Sequence, residues 1–170
     1  MKRIYTLLLC VAAALAAVMP ASAASHRGEK FFGPRIGFVD RNESALVGLE
    51  FRYTLGAHLR IAPSVDMIFR HRDMDGLNIN LDLHFPYDLA GTRCDLYPLI
   101  GLSYTSWGLH DRTDIDGKDV TTHRNCLGAN FGAGFDWRAT STLTLGFQAR
   151  YNLMRHYPTA VFALSIGYVF

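Results

Sequence analysis

The chain has 170 residues, 49% of them apolar, with 17 basic and 15 acidic side chains. This length suits one domain, and a net charge of only +2 excludes the basic footprint that nucleic-acid binding requires. No apolar run of 18 residues occurs after residue 23, which excludes a transmembrane helix from that part of the chain.

Residues 1–23 have the pattern of a secretory signal peptide. Lys2 and Arg3 give a positive start, a long apolar run follows, and Ala21-Ser22-Ala23 forms an A-x-A cleavage site. We predict cleavage after this site, which leaves residues 24–170 as the mature domain. An uncleaved N-terminal anchor is the alternative, and the small residues after the apolar run disfavour it. Without Lys2 and Arg3, 15 basic residues balance the 15 acidic ones.

Four segments of alternating polarity occupy the first half of this domain, at residues 31–40, 44–55, 58–70 and 76–87. The fourth segment is the clearest. Its apolar positions are Leu77, Ile79, Leu81, Leu83 and Phe85, and its polar positions are Asn78, Asn80, Asp82 and His84. Successive side chains of a strand point to opposite faces, so this alternation predicts strands with one apolar face and one polar face.

Four further segments follow, at residues 96–107, 125–138, 142–153 and 161–170. In the last one, "VFALSIGYVF", large apolar residues alternate with the small residues Ala163, Ser165 and Gly167. No helical periodicity occurs after the signal peptide. The sequence therefore predicts eight strands.

The connections also alternate, between short ones and charged ones. We expect the charged loops 40–44, 71–75, 108–124 and 154–159 at one end of the strands, and the shorter connections at the other end. This arrangement predicts antiparallel neighbours in an up-and-down order.

Alternation alone does not say which face meets water. A soluble sandwich buries its apolar face, whereas a transmembrane barrel turns it outward. Segments of about ten residues match the membrane-crossing length, and aromatic residues collect near the segment ends, as in the girdles of membrane barrels. We therefore predict an all-β, eight-stranded antiparallel transmembrane β-barrel.

The polar face carries charges of both signs, and a barrel of eight strands has an interior just wide enough for side chains to fill. We predict an interior polar network that contains Glu50, Arg52, Asp66, Arg70, Asp82, His84 and Arg150. Such a filled interior argues against an aqueous pore.

The sequence resembles the small bacterial outer-membrane β-barrel family, porin-like proteins related in structure to the OmpA-type and OmpX-type barrels. Four features carry this resemblance: the Ala21-Ser22-Ala23 signal end, "LYPLIGLSYTSWG" at 96–108, "LGANFGAGFDWR" at 127–138, and the final "LSIGYVF". The resemblance implies an outer-membrane location in a Gram-negative bacterium, with both termini periplasmic and outer-membrane lipid around the barrel.

The resemblance also implies that Tyr168 and Phe170 form a C-terminal signal for the outer-membrane assembly machinery. A plainer interpretation is that both are lipid-facing strand residues. The two interpretations are compatible, and both place these side chains on the outer wall of the barrel.

Two cysteines remain after signal cleavage, in a cell envelope that favours disulfides. The topology places Cys94 and Cys126 at opposite ends of the strands, separated by roughly 25 Å of apolar band. A disulfide needs Cα atoms within about 7 Å. We predict that Cys94 and Cys126 do not form a bridge.

Loop 108–124 contains six potential metal ligands, namely His110, Asp111, Asp114, Asp116, Asp119 and His123. Its "DIDGKD" stretch lacks the closing Glu and the flanking helices of a calcium loop. We expect a solvated loop, no metal and no cofactor.

We expect a monomer. We also expect no enzymatic activity, since no serine is spaced to pair with His84 and Asp82. The predicted role is structural, or surface interaction through the outer loops. The alternatives are a small pore, a lipid-modifying barrel enzyme, or a soluble lipocalin-like barrel with its apolar face inside.

Overall fold

The computed structural model describes residues 27–71, 73–89, 91–111, 120–155 and 157–170. The strands in these ranges are β1 (Lys30–Val39), β2 (Ser44–Gly56), β3 (Leu59–His71), β4 (Met74–His84), β5 (Tyr87–Asp88), β6 (Cys94–Asp111), β7 (Val120–Arg138), β8 (Leu143–Met154) and β9 (Thr159–Val169). The predicted signal peptide lies outside the described residues. Across the described ranges, no helix is long and apolar enough to span a membrane.

The strands form one closed antiparallel barrel. Strands that follow each other in sequence pair, apart from β4 and β5, and β1 pairs with β9. Strand β5 continues β4 after a short break, and both pair with β6, so the barrel has eight strands. This confirms the predicted all-β, eight-stranded antiparallel architecture.

Closure depends on the two ends of the described chain. The β1–β9 ladder runs from Phe31↔Val169 to Val39↔Val161. At its end the backbone N–H of Lys30 donates to the carbonyl of Phe170 at 3.0 Å, and the N–H of Phe170 donates back at 2.9 Å. The C-terminal residue is therefore held by backbone pairing.

The two ends of the barrel are named here for later use. The base is the end that carries Lys30 and Phe170, where the connections 57–58, 89–93 and 139–142 join their strands. The top is the opposite end, where the turn 40–43 lies and where the connections 72–73, 112–119 and 155–158 join their strands.

Large apolar side chains cover the outer wall. On β9 the residues Phe162, Leu164, Ile166 and Tyr168 are exposed, whereas Ala163, Ser165 and Gly167 point inward and are buried. Leu102 on β6 is 63% exposed, although a soluble barrel would place such a residue inside. The predicted orientation of the two faces is correct, and a lipocalin-like barrel with an apolar interior is excluded.

Glycines in the wall make room for large interior side chains. A Cβ atom at Gly134 on β7 would collide with the ring of Tyr97 on β6. A Cβ atom at Gly101 would collide with the carboxylate of Asp82. The glycine-rich polar face thus determines where bulky and charged groups fit inside a narrow barrel.

The top of the lumen is apolar. Five buried residues from five strands pack together there and form the top cap: Val39, Leu46, Ile68, Trp107 and Val161. Trp107 is fully buried at its centre, and Tyr157 packs against it with ring centroids 6.5 Å apart. All five residues lie on the inward parity of their segments, so alternation places them inside, but only the structure shows that they converge in one cluster.

The predicted loop 108–124 is too long. Strand β6 continues to Asp111 and β7 begins at Val120, because the ladder between them runs up to the pair Asp111↔Val120. Only residues 112–119 lie between the two strands, outside the described residues.

The two cysteines lie far apart in the same ladder. Cys94 pairs with Trp137 near the base, whereas Cys126 pairs with Thr105 near the top. The positions 94 and 105 on β6 are about 35 Å apart at roughly 3.3 Å per residue. Both thiols are free.

Candidate functional site: the charged lumen and the top rim

Asp66 on β3 is the centre of an ion-pair cluster in the middle of the lumen, called here the central network. Its Oδ1 lies 3.1 Å from Nε of Arg35, and its Oδ2 lies 3.1 Å from NH2 of Arg150. Arg150 also contacts Asp82, with NH1 2.9 Å from Oδ2. All four side chains are buried, so the two arginines and the two carboxylates neutralise each other away from water.

Amide side chains add hydrogen bonds to the central network. Asn130 donates to Oδ1 of Asp82 at 2.7 Å, and Asn80 donates to Oδ2 of Asp66 at 3.3 Å. On the opposite side Arg35 donates to Oε1 of Gln148 at 3.2 Å. These amides supply part of the hydrogen bonding that buried charges need, whereas Nε of Arg150 has no hydrogen-bond partner among the described residues.

A second cluster, the base network, fills the lumen near the termini. Arg52 donates to Asp136 at 2.7 Å and to Glu50 at 2.8 Å. Arg60 donates to the other oxygen of Asp136 at 2.7 Å, and it lies 3.8 Å from Asp95. One aspartate, Asp136, thus bridges two arginines from different strands.

Arg138 extends the base network toward solvent, since its NH2 donates to Asp95 at 2.6 Å and its side chain is 25% exposed. A shallow recess opens beside it at the base. Counting Arg138, five arginines face five carboxylates in the lumen: Arg35, Arg52, Arg60, Arg138 and Arg150 against Glu50, Asp66, Asp82, Asp95 and Asp136.

His84 and Tyr97 separate the two networks. Their rings stack with centroids 4.4 Å apart and planes inclined by 14°. Nε2 of His84 lies 3.3 Å from Nε2 of Gln148, and Oε1 of the same glutamine accepts from Arg35. Tyr97 reaches down to the base network, where the Cζ of Arg60 lies 5.9 Å from its ring centroid. His84 and Tyr97 therefore connect the central network to the base network.

Six of the seven residues predicted for the interior network lie in the lumen, and one does not. The six are all buried: Glu50, Arg52, Asp66, Asp82, His84 and Arg150. The placement of Arg70 is wrong: its side chain is 46% exposed and pairs with Asp73 at 3.0 Å. The β3–β4 register shifts between Ile68 and His71, so the alternation of faces ends before Arg70.

Several residues of the lumen were not predicted as members of the interior network, although the sequence contains a pattern that points to some of them. Arg35 and Asp136 lie on the polar parity of their segments, so parity alone would have found them. Tyr97 lies on the same parity as the inward Ser103 and Thr105, but its residue type obscured this signal, because an aromatic residue in a membrane strand is expected on the lipid side. Its burial, and the collision between its ring and any side chain at position 134, show that it lies inside.

The top rim is tied together by contacts between turns. The Cζ of Arg41 lies 4.6 Å above the ring centroid of Tyr157. Asp40 accepts from the backbone N–H of Ala160 at 2.8 Å, and Nδ1 of His71 lies 2.6 Å from the carbonyl oxygen of Asn42. These contacts link three of the connections across the mouth of the barrel.

The candidate metal loop is described only in part. Nε2 of His110 lies 3.2 Å from Oδ1 of Asp75, and His123 is exposed on β7. Asp114, Asp116 and Asp119 lie outside the described residues. Among the side chains that are described, no three His, Cys, Asp or Glu residues converge as a metal site would require.

A closed eight-stranded antiparallel barrel with an apolar outer wall and a packed polar lumen is the architecture of small bacterial outer-membrane barrels. Solved structures show the same fold. The N-terminal β-barrel domain of Pseudomonas aeruginosa OprF matches with a TM-score of 0.69 at 16% identity, over 85% of this chain and 98% of that one.

Two further structures match over similar lengths. Ail, the attachment invasion locus protein of Yersinia pestis, has a TM-score of 0.61 at 15% identity, over 85% of this chain and 99% of that one. Neisserial surface protein A has a TM-score of 0.61 at 15% identity, over 83% and 94%. No protein-family model and no curated protein matches the sequence. At these identities the likeness is one of fold.

Replacing Arg150 with Met should destabilise the barrel by about 3–5 kcal/mol, because it leaves the carboxylates of Asp66 and Asp82 buried with one cation fewer. The matched control is Arg70→Met, which removes an exposed arginine and should change the free energy of unfolding by no more than about 0.5 kcal/mol. Urea unfolding of the refolded protein in lipid vesicles measures both. The double variant R150M/D82L should recover part of the loss, since Asp66 keeps Arg35. Equal, small effects of R150M and R70M would show that the network contributes little.

Proposed function

We propose that this protein is a bacterial outer-membrane barrel with a closed lumen, whose role is structural or lies in surface interaction through its top rim and outer connections. One observation carries this proposal: the outer wall is apolar while the lumen is filled from base to top. A filled lumen leaves the loops and rim as the surfaces that are open to partners.

The membrane location is supported by strand length and by the aromatic residues at both ends of the wall. The long strands have between 10 and 19 residues, compared with about 9–11 needed to cross a bilayer. Trp137 and Tyr168 are exposed near the base, and Phe69 and Tyr104 are exposed near the top. Aromatic girdles at the two interfaces are typical of membrane barrels.

The pore alternative is disfavoured by two successive obstructions. The central network blocks the lumen with paired charges, and the top cap closes it with apolar side chains. An eight-stranded barrel has room for side chains or for an open path, but not for both.

The lipid-modifying enzyme is disfavoured by the surroundings of His84, the buried histidine of the lumen. Its ring is stacked on Tyr97, and the neighbour of its Nε2 is the amide of Gln148. A hydrolytic base needs a nucleophile within hydrogen-bond reach, and neither neighbour is one.

In Gram-negative cells we expect the protein in the outer-membrane fraction, migrating faster on a gel when unboiled, because a closed barrel resists unfolding by detergent. An epitope tag within residues 112–119 should be accessible to antibody on intact cells, and a tag in the base turn 139–142 should not. If antibody reached only the base tag, the topology would be the inverse of the proposed one, and the proposed surface role would be wrong.

In planar lipid bilayers the wild-type protein should give no stepwise ion conductance, because the lumen is closed at the central network and again at the top cap. A 16-stranded porin reconstituted under the same conditions is the positive control. Conductance steps from the wild type whose size changes in Arg150→Ala would show that the lumen conducts, and the pore would then be the function.

We also propose that Tyr168 and Phe170 are read by the outer-membrane assembly machinery. Phe170 is 60% exposed and its ring stacks on Tyr168 with centroids 6.1 Å apart, so both rings are presented on the outer wall at the base. This end of the barrel faces the periplasm in the proposed topology, where an assembly factor would meet it.

The substitution Phe170→Ala keeps the backbone pairing with Lys30, so it should reduce insertion in cells far more than it reduces the stability of refolded protein. Phe162→Ala is the matched control, since it removes an outward aromatic from the same strand near the top. Quantitative blots of outer-membrane fractions measure insertion, and urea unfolding in vesicles measures stability. If both substitutions lower insertion and stability in equal proportion, the two terminal aromatics are ordinary lipid-facing residues.

A further inference from the structure

The β6–β7 hairpin extends above the rest of the barrel wall on one side. Its ladder includes eight pairs from Leu127↔Tyr104 up to Val120↔Asp111. On the other side of β7 the ladder with β8 ends at Gly128↔Met154. Within the part of the chain that the structure describes, residues 120–127 therefore have strand partners on the β6 side only. We call this stretch the β7 edge; eight residues span roughly 26 Å at about 3.3 Å per residue.

The opposite side of the same hairpin is covered. Strand β4 pairs with β6 up to Met74↔Leu109, and the N–H of His110 donates to the carbonyl of Asp73 at 2.9 Å. The hairpin therefore has a neighbouring strand along β6 and none along residues 120–127 of β7. The backbone N–H and C=O groups of β7 that lack a strand partner point away from β4.

An open strand edge is a template for another strand, because its unpaired N–H and C=O groups repeat at the spacing of a β-ladder. Natural edges are often blocked by proline, but the β7 edge sequence "VTTHRNCL" has none. The side chains of residues 122–125 are exposed. At the lower end Leu127 is 76% exposed, a higher fraction than for any other large apolar residue described.

The charge of the β7 edge selects the partner. The edge contains His123 and Arg124 and no acidic residue, and the exposed Arg155 follows immediately after β8 ends. Pairing two copies of this edge would bring their arginines together, which like-charge repulsion across strands disfavours. An acidic segment would place carboxylates opposite the same arginines and gain from the pairing.

We propose that the β7 edge binds an extended, acidic peptide segment of a partner protein, which adds a strand to the β6–β7 hairpin. Backbone hydrogen bonds hold the segment, Arg124 and Arg155 contact its carboxylates, and an apolar side chain of the segment covers Leu127. This inference rests on the proposed surface role, since the top must face the outside of the cell to meet a partner.

The test uses the full mature chain refolded in nanodiscs of zwitterionic lipid and three labelled eight-residue peptides. The alternating Glu-Val peptide has strand propensity and four carboxylates. The Glu-Pro peptide keeps the carboxylates but cannot form a strand. The Lys-Val peptide reverses the charge. Fluorescence anisotropy should show saturable binding of Glu-Val, at least roughly tenfold weaker binding of Glu-Pro, and no binding of Lys-Val.

Variants locate the site on the protein. Arg124→Glu should weaken binding of the Glu-Val peptide by about tenfold, and Arg155→Glu serves as a second variant if the first does not fold. Arg70→Glu is the matched control, an exposed arginine at the top end of β3, and it should leave binding unchanged within about twofold.

Each of the following results would overturn the inference. Equal binding of Glu-Pro and Glu-Val would reduce it to charge attraction alone, as for an anionic lipid headgroup. Equal weakening by R124E and R70E would remove the β7 edge as the site. Self-association without peptide would make a second copy the occupant. If the peptide does not bind but the tag within residues 112–119 is accessible on cells, this inference fails and the proposed function stands; if that tag is inaccessible, both fail.

Discussion

The pairing of β1 with β9 is the constraint on which the rest of this molecule depends. In a hydrocarbon environment a sheet with open edges leaves backbone groups without partners, and closing the sheet removes both edges at once. The reciprocal hydrogen bonds between Lys30 and Phe170 continue this closure to the last residue of the chain. Closing eight strands into a barrel also fixes a narrow lumen, and the identity of every inward side chain follows from that limited space.

Different kinds of side chain fill this narrow lumen at its two ends. Near the base and in the middle, arginines and carboxylates pair at 2.6–3.8 Å, and amide side chains add further hydrogen bonds. Near the top, apolar residues around Trp107 fill the space without any charge. Replacing both partners of a buried ion pair by apolar groups of similar volume is often neutral for stability, so the presence of these charges is not by itself evidence of added stability.

The β7 edge is the longest stretch of strand in the described structure that has a strand partner on one side only. The β6–β7 hairpin extends beyond the end of β8, so the backbone N–H and C=O groups of β7 that face the β8 side have no strand partner there. Because the lumen is filled and the wall faces lipid, the top rim, the outer connections and the β7 edge are the surfaces left for the partner binding proposed above. The three similar structures named above share the barrel at 15–16% identity, which establishes the fold alone.

The sequence by itself determined the eight strands and the orientation of their faces, because a period of two is a local property of each segment. Parity also identified six of the seven predicted lumen residues. It misplaced Arg70, since parity does not reveal where a register shift ends the wall, and it overestimated loop 108–124, whose polar residues continue the strands. Only the tertiary structure decided which charges meet: Arg52 and Asp136 are 84 residues apart in sequence and 2.7 Å apart in the lumen. That contact depends on strand stagger and barrel closure, which no local pattern encodes.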